Sequence, residues 1–173
     1  QPTYHTALAN AVATSVPGFW RAKLALALLY VEPTPFDSQS AESGLNILLL
    51  APETGHRRRV LEAFAELTPS AQYQSLTEAD SPPVLAEVAK RASRWWVETG
   101  PLVQAAGSVA AVDGLENVAE TQQPRLLPAL TETQIRLAKA GIEVSLDTCN
   151  QLVATAPPTT ARPENLRSAA PLD

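Results

Sequence analysis

Asn46-Ile-Leu-Leu-Leu-Ala-Pro-Glu-Thr-Gly-His-Arg-Arg-Arg-Val-Leu61 is the stretch that decides the fold. The aliphatic run from Leu45 to Ala51 is short and continuous, as expected of a strand covered on both faces in a parallel sheet. Pro52-Glu-Thr-Gly55 reads as a turn. From His56 to Leu67 the apolar residues Val60, Leu61, Phe64 and Leu67 recur at helical spacing on one face. A strand, a glycine-bearing turn and a helix open a βαβ unit.

Outward from this unit the chain keeps alternating. Upstream, residues 4–15 are alanine-rich and helical in composition, Pro17-Gly18 interrupts them, and a second helix runs from about Phe19 to Val31, apolar nearly all round and so expected to be buried. Residues 32–44 read as a loop. Downstream, Gln72–Leu76 is a short strand and Val84–Ala92 a helix starting after Pro82-Pro83. Leu102-Val103 is a minor strand. Ser108–Val112 is a buried strand that ends in Asp113, and Arg125–Leu130 is helical with Pro128 inside it. Thr133–Leu146 has a different period. Ile135 and Leu137 face one way and Arg136 the other, and after the Gly141 turn Ile142, Val144 and Leu146 resume the apolar face. That is a hairpin with Lys139 at its tip. Gln151–Ala156 is a last core strand, closed by Pro157-Pro158. Alternating strands and helices give an α/β fold.

Composition sets the limits. The chain has 173 residues, 45% hydrophobic and 18% charged, enough for one domain with a sizeable core. The absence of methionine and the start at Gln1 suggest an internal piece of a longer protein. The longest apolar run, Leu24 to Val31, is too short to cross a membrane, so no membrane partner is expected and a cytoplasmic or nucleoid-associated location is the default. A single cysteine, Cys149, excludes an internal disulfide and a cysteine metal cluster; a packed thiol is a better reading than a reactive one. His5 and His56 lack metal-ligand spacing, and no metal site is expected. A net charge of −5 gives no whole-chain sign of nucleic-acid binding, so any such contact must come from a local patch.

Six segments in order resemble the MCM (minichromosome maintenance) family of AAA+ replicative helicases. Residues 46–61 are similar to NILLVGDPGTAKSQLL, residues 107–117 to GGVCCIDEFDK, Ile135–Ile142 to ISIAKAGI, and Leu152–Pro157 to LAAANP. Thr99–Val103 resembles LEAGALVL, and Pro163-Glu-Asn-Leu an NI-containing run before the arginine finger. The resemblance implies an AAA+-type P-loop NTPase core, a parallel sheet flanked by helices with a pre-sensor-1 β-hairpin. It spans most of residues 15–173 as one domain. The segment 159–173 reads as a loop-like tail, cut just before the arginine finger.

The departures from the family pattern fall on its chemistry. A Walker A loop needs glycines whose bare N–H groups close around phosphates, and a lysine for the outer phosphates. Its glycine positions are Ala51 and Thr54, with Gly55 displaced by one; the lysine position is Arg57. The position of the Mg²⁺-ligating hydroxyl is Arg58, a cation that repels a metal ion. Asp113 matches the Walker B aspartate, but Gly114 stands where the catalytic glutamate belongs, and Ala156 where the sensor 1 asparagine belongs. Without that glutamate nothing orients the attacking water, unless Glu116, two residues on, takes a new placement. The expectation is an MCM-like domain that has lost ATP hydrolysis, with ATP and Mg²⁺ binding lost as well. An ordinary strand–turn–helix connection is the bland reading of residues 51–58.

By the same resemblance Lys139 on the pre-sensor-1 hairpin, with Arg136 beside it, is the candidate contact to the DNA backbone, against a solvated turn lysine as the plain alternative. The cluster His56–Arg59, joined by Lys90, Arg91 and Arg94, reads as solvated surface or an anion site. Trp95-Trp96 lies near the family's helix-2 insert, which reads as short here; at least one of the pair is expected in the core, and a partner or base contact is the other option. Expected partners are DNA, an active MCM ring or further copies of this chain. A divergent ATPase or helicase subunit using Arg57, Asp113 and Glu116 is the competing function.

Overall fold

The computed structural model describes residues 4–31, 44–51, 54–77, 82–148 and 151–158. Its centre is a four-stranded parallel sheet in the order β1 (Ile47–Leu50), β8 (Gln151–Ala156), β5 (Val109–Asp113), β2 (Gln72–Ser75). β5 and β8 are buried at every residue, which explains their near-continuous apolar sequence. Side chains alternate across the strands. Val109, Ala111 and Val153 enter one core with α2 (Trp20–Val31), α3 (Thr54–Leu67) and the residues Val12, Ala13 and Val16 that follow α1 (Tyr4–Ala11). Ala110, Val112, Leu152 and Ala154 enter a second core on the opposite face.

The helical layer is close to the reading from sequence. The α3 residues Val60, Leu61 and Phe64 are buried as their spacing predicts, while Leu67 is half exposed. The helix opens at Thr54, two residues early. α1 ends at Ala11, short of the expected Ser15. α2 is not wholly buried: Leu26, Ala27 and Leu29 are enclosed, but Trp20 and Leu28 are about half exposed.

The second face holds the corrections. Residues 84–92 do not form a helix. β3 (Ala86–Arg91) and β4 (Arg94–Thr99) are an antiparallel hairpin with Val88 opposite Val97. Val88 is buried and Val97 packs on the same core, so the alternation of a strand overrides helix propensity. The segment around Trp95-Trp96 is therefore a hairpin of two six-residue strands. Leu102-Val103 is not a strand but lies inside the short helix α4 (Pro101–Gln104), begun by Pro101. α5 (Gln123–Thr131) contains Pro128 as expected. β6 (Gln134–Lys139) and β7 (Ile142–Asp147) make the predicted second hairpin, with Ile135 opposite Leu146. Its turn is Ala140-Gly141, both at positive φ (54° and 79°), the backbone of a two-residue hairpin loop. Cys149 and the tail from residue 159 lie outside the described residues, as do residues 32–43 of the loop read at 32–44. Among the described residues no helix is long and apolar enough to cross a membrane.

Candidate functional site

Parallel strands bring the altered positions to one end of the sheet. β1 runs out into Ala51, whose N–H donates to the Ala156 carbonyl at 3.4 Å. The Walker A and sensor 1 segments of the resemblance thus meet as neighbours. Beside them β5 ends in Asp113, in register with Thr155. The structure brings together Ala51, Asp113, Gly114 and Ala156, with the N-terminal turn of α3 starting at Thr54.

Asp113 is fully buried. A buried carboxylate needs hydrogen bonds or a counter-charge. Its Oδ1 accepts the Thr155 hydroxyl at 2.5 Å, and the same hydroxyl oxygen accepts the Gly114 N–H at 3.1 Å. Thr155 therefore clamps the end of β5, and its role was not read from sequence. The available signal was a lone hydroxyl in the apolar run Leu152–Ala156, one strand away from the aspartate. Asp113 Oδ2 and Glu116 Oε2 are enclosed, without a hydrogen-bond partner among the described residues. Glu116 sits on a short 3-10 turn, Leu115–Asn117.

Gly114 is left-handed, with φ 83° and ψ 48°. A Cβ at this position would lie 2.9 Å from the Asn117 side-chain nitrogen and 3.1 Å from the Thr77 methyl. The backbone here suits glycine and disfavours every side chain. Ala156, buried on β8, offers a methyl where an amide would make a polar contact.

On α3, Gly55 is exposed, with open space where a Cβ would stand. Arg57 is buried, at 4% exposure, so a cation is kept at the lysine position. Arg58 projects outward and its Nε donates to Glu62 Oε1 at 2.8 Å, one helical turn on. Its guanidinium is held further toward the charged form, first by that bond and then by the charges of Tyr73, Glu62 and Asp113. The Tyr73 hydroxyl on β2 is pushed up beyond the usual phenol range, chiefly by burial and next by the Glu62 charge. His56 lies against Phe19, ring centroids 5.7 Å apart.

The second cluster is on the hairpins. Lys90, Arg91 and Arg94 lie at the tip of β3–β4, the first two on β3 and the third on β4. Arg91 pairs with Glu98. Trp95 and Trp96 are 39% and 51% exposed, so neither is core. Lys90 lies over Trp95 at 5.6 Å and Arg94 over Trp96 at 5.9 Å. Lys139 ends β6 just before the turn, and its Nζ donates to the Val88 carbonyl at 3.1 Å. Arg136 faces the other way on β6, lining an open groove of about 500 Å³ against α5 with Arg125 and Glu132. The two candidate DNA residues are therefore on opposite faces of one hairpin.

The MCM P-loop domain family model matches residues 1–170. A minichromosome maintenance protein MCM of Saccharolobus solfataricus is 24% identical over 165 residues, 93% of this chain and 24% of that protein. DNA replication licensing factor MCM5 of Arabidopsis thaliana is 25% identical over 135 residues, 77% of this chain and 19% of that protein. Maternal DNA replication licensing factor mcm6 of Xenopus tropicalis is 23% identical over 140 residues, 80% and 17% of the two chains. The chain spans about a quarter or less of the length of these relatives.

Proposed function

This chain belongs to the MCM P-loop domain family, and from that premise we propose that it is a member without ATP hydrolysis, serving DNA replication as a binding, regulatory or structural module. The observation that carries the reading is Gly114. The position of the catalytic carboxylate has no side chain, and its left-handed backbone, with the Asn117 and Thr77 side chains close by, strains any residue that carries one. A replacement glutamate cannot simply be placed there.

The surroundings support the same reading. Catalysis of phosphoryl transfer is positioning plus charge stabilisation, with Mg²⁺ bridging the outer phosphates. Here Arg58 stands where a hydroxyl would ligate the metal, Thr155 occupies one oxygen of Asp113, and Ala156 offers no polar group. These residues do not fit a magnesium triphosphate. The buried Arg57 is compatible with a bare anion but supplies no metal ligand.

What the module retains is the Lys139 hairpin. Its ammonium is a cationic donor beside a turn, able to meet a DNA phosphate without reading sequence. One lysine gives little affinity, and several copies in a ring, or one copy within an active MCM ring, would multiply it.

A second reading, a divergent ATPase, has one observation in its favour. Asp113 and Glu116 each keep an enclosed carboxylate oxygen without a hydrogen-bond partner among the described residues. Phosphate release from Mg·ATP, with and without a single-stranded oligonucleotide, separates the two. We expect background rates in both. Release that saturates with ATP and disappears in Asp113→Asn would establish the second reading.

A further inference from the structure

Lys139 is already engaged in the free protein. Its Nζ donates to the Val88 carbonyl on β3 at 3.1 Å and stands 5.8 Å from the centroid of the Trp95 ring on β4. On β6 it shares a face with the buried Ile135 and Leu137, and β3 and β6 pack against each other. Its contacts therefore cross from one hairpin to the other. Lys90, by contrast, covers the same ring from within its own hairpin, where it is the cross-strand partner of Trp95.

We propose that Lys139 is a latch between the two hairpins that a phosphate of the nucleic-acid strand releases. This rests on the reading of Lys139 as a phosphate contact and adds how that contact is regulated. The latch consists of one hydrogen bond from a cation to a neutral carbonyl and one cation–π contact at a partly exposed ring. Both are modest. A phosphate offers the same ammonium a full negative charge and a charge-assisted bond, which is the stronger interaction. Drawing the ammonium to a phosphate uncovers part of the Trp95 ring and removes the polar tie between β6 and β3, while the apolar core shared by Val88, Ile135 and Leu137 keeps the hairpins packed. Closed and open arrangements exchange, and the anion shifts the balance by binding only the open one. The binding state of β6–β7 is thereby transmitted to the neighbouring hairpin, without any nucleotide.

The test uses the whole chain with Trp20→Phe and Trp96→Phe, which leaves Trp95 as the one tryptophan of three. Acrylamide quenching of its emission reads ring accessibility. Lys139→Gln, without ligand, raises the quenching constant by about twofold, the scale set by losing one weak contact. Lys139→Arg, which keeps a cationic donor, stays near the parent value. Inorganic polyphosphate or a single-stranded oligonucleotide raises the parent to the Lys139→Gln level and leaves Lys139→Gln unchanged. Equal quenching in the parent and Lys139→Gln would refute the latch. Ligand binding, seen by anisotropy, without a change at Trp95 would refute its release. No binding of either ligand would defeat the DNA reading itself, with the variant comparison still deciding the latch. If Lys139→Gln loses its circular dichroism spectrum, the parent titration decides alone.

Discussion

Thr155 and Gly114 carry the account at the scale of single residues. The Thr155 hydroxyl donates to a fully buried carboxylate and accepts a backbone N–H. Thr155→Val keeps the shape and removes both bonds, stranding a buried charge and a buried donor. The expected loss of stability is about 2–4 kcal/mol, read by chemical denaturation. Gly114→Glu restores the family's residue in name only. At φ 83° with Asn117 and Thr77 in contact range, it costs about 1–3 kcal/mol and gives no phosphate release. Tyr73 makes a pH prediction. Its folded-state pKa is raised, so above pH about 10 the hydroxyl ionises in the unfolded chain while the folded chain keeps its proton. Unfolding then releases a proton, and stability falls as pH rises. In Tyr73→Phe that part of the alkaline slope disappears, measurable by denaturation between pH 8 and 11.

Among the elements, the hairpins divide what could be read from what could not. The β6–β7 hairpin was legible because a clean alternation flanks a glycine, and the turn needs positive φ at Ala140 and Gly141. The β3–β4 hairpin was not. Its turn is Ala92-Ser93, at positive φ of 46° and 66° without glycine or asparagine, so the usual turn signal is missing. Its first strand, Ala86-Glu-Val-Ala-Lys-Arg91, is made of good helix formers after two prolines. Burial of Val88 against the core decided the matter. Trp95 and Trp96 belong to the same lesson, since they lie on a two-stranded hairpin outside the central sheet, where both are left partly exposed. The preserved hairpin makes a prediction of its own. Lys139→Ala weakens binding of single-stranded DNA similarly across sequences and lowers the salt dependence by about one phosphate contact. Arg136→Ala, on the other face, has the smaller effect. Filter binding across a salt series checks both.

For the molecule as a whole, the sheet order β1-β8-β5-β2 places the first and last strands of the core side by side. That adjacency brings the altered positions Ala51, Gly114 and Ala156, far apart in sequence, into one site beside Asp113. The motifs were legible in sequence because each altered position keeps its place at a strand end or a helix start. Contacts across the sheet, such as Thr155 to Asp113 over 42 residues, depend on strand order and left no periodicity to read. The family model establishes which fold this is, and the proposed loss of Mg·ATP binding rests on the residues at one end of its sheet. Calorimetric titration with a non-hydrolysable ATP analogue, with and without Mg²⁺, addresses that claim most directly. We predict no Mg²⁺-dependent heat. A saturable heat that requires Mg²⁺ and vanishes in Asp113→Asn would contradict it.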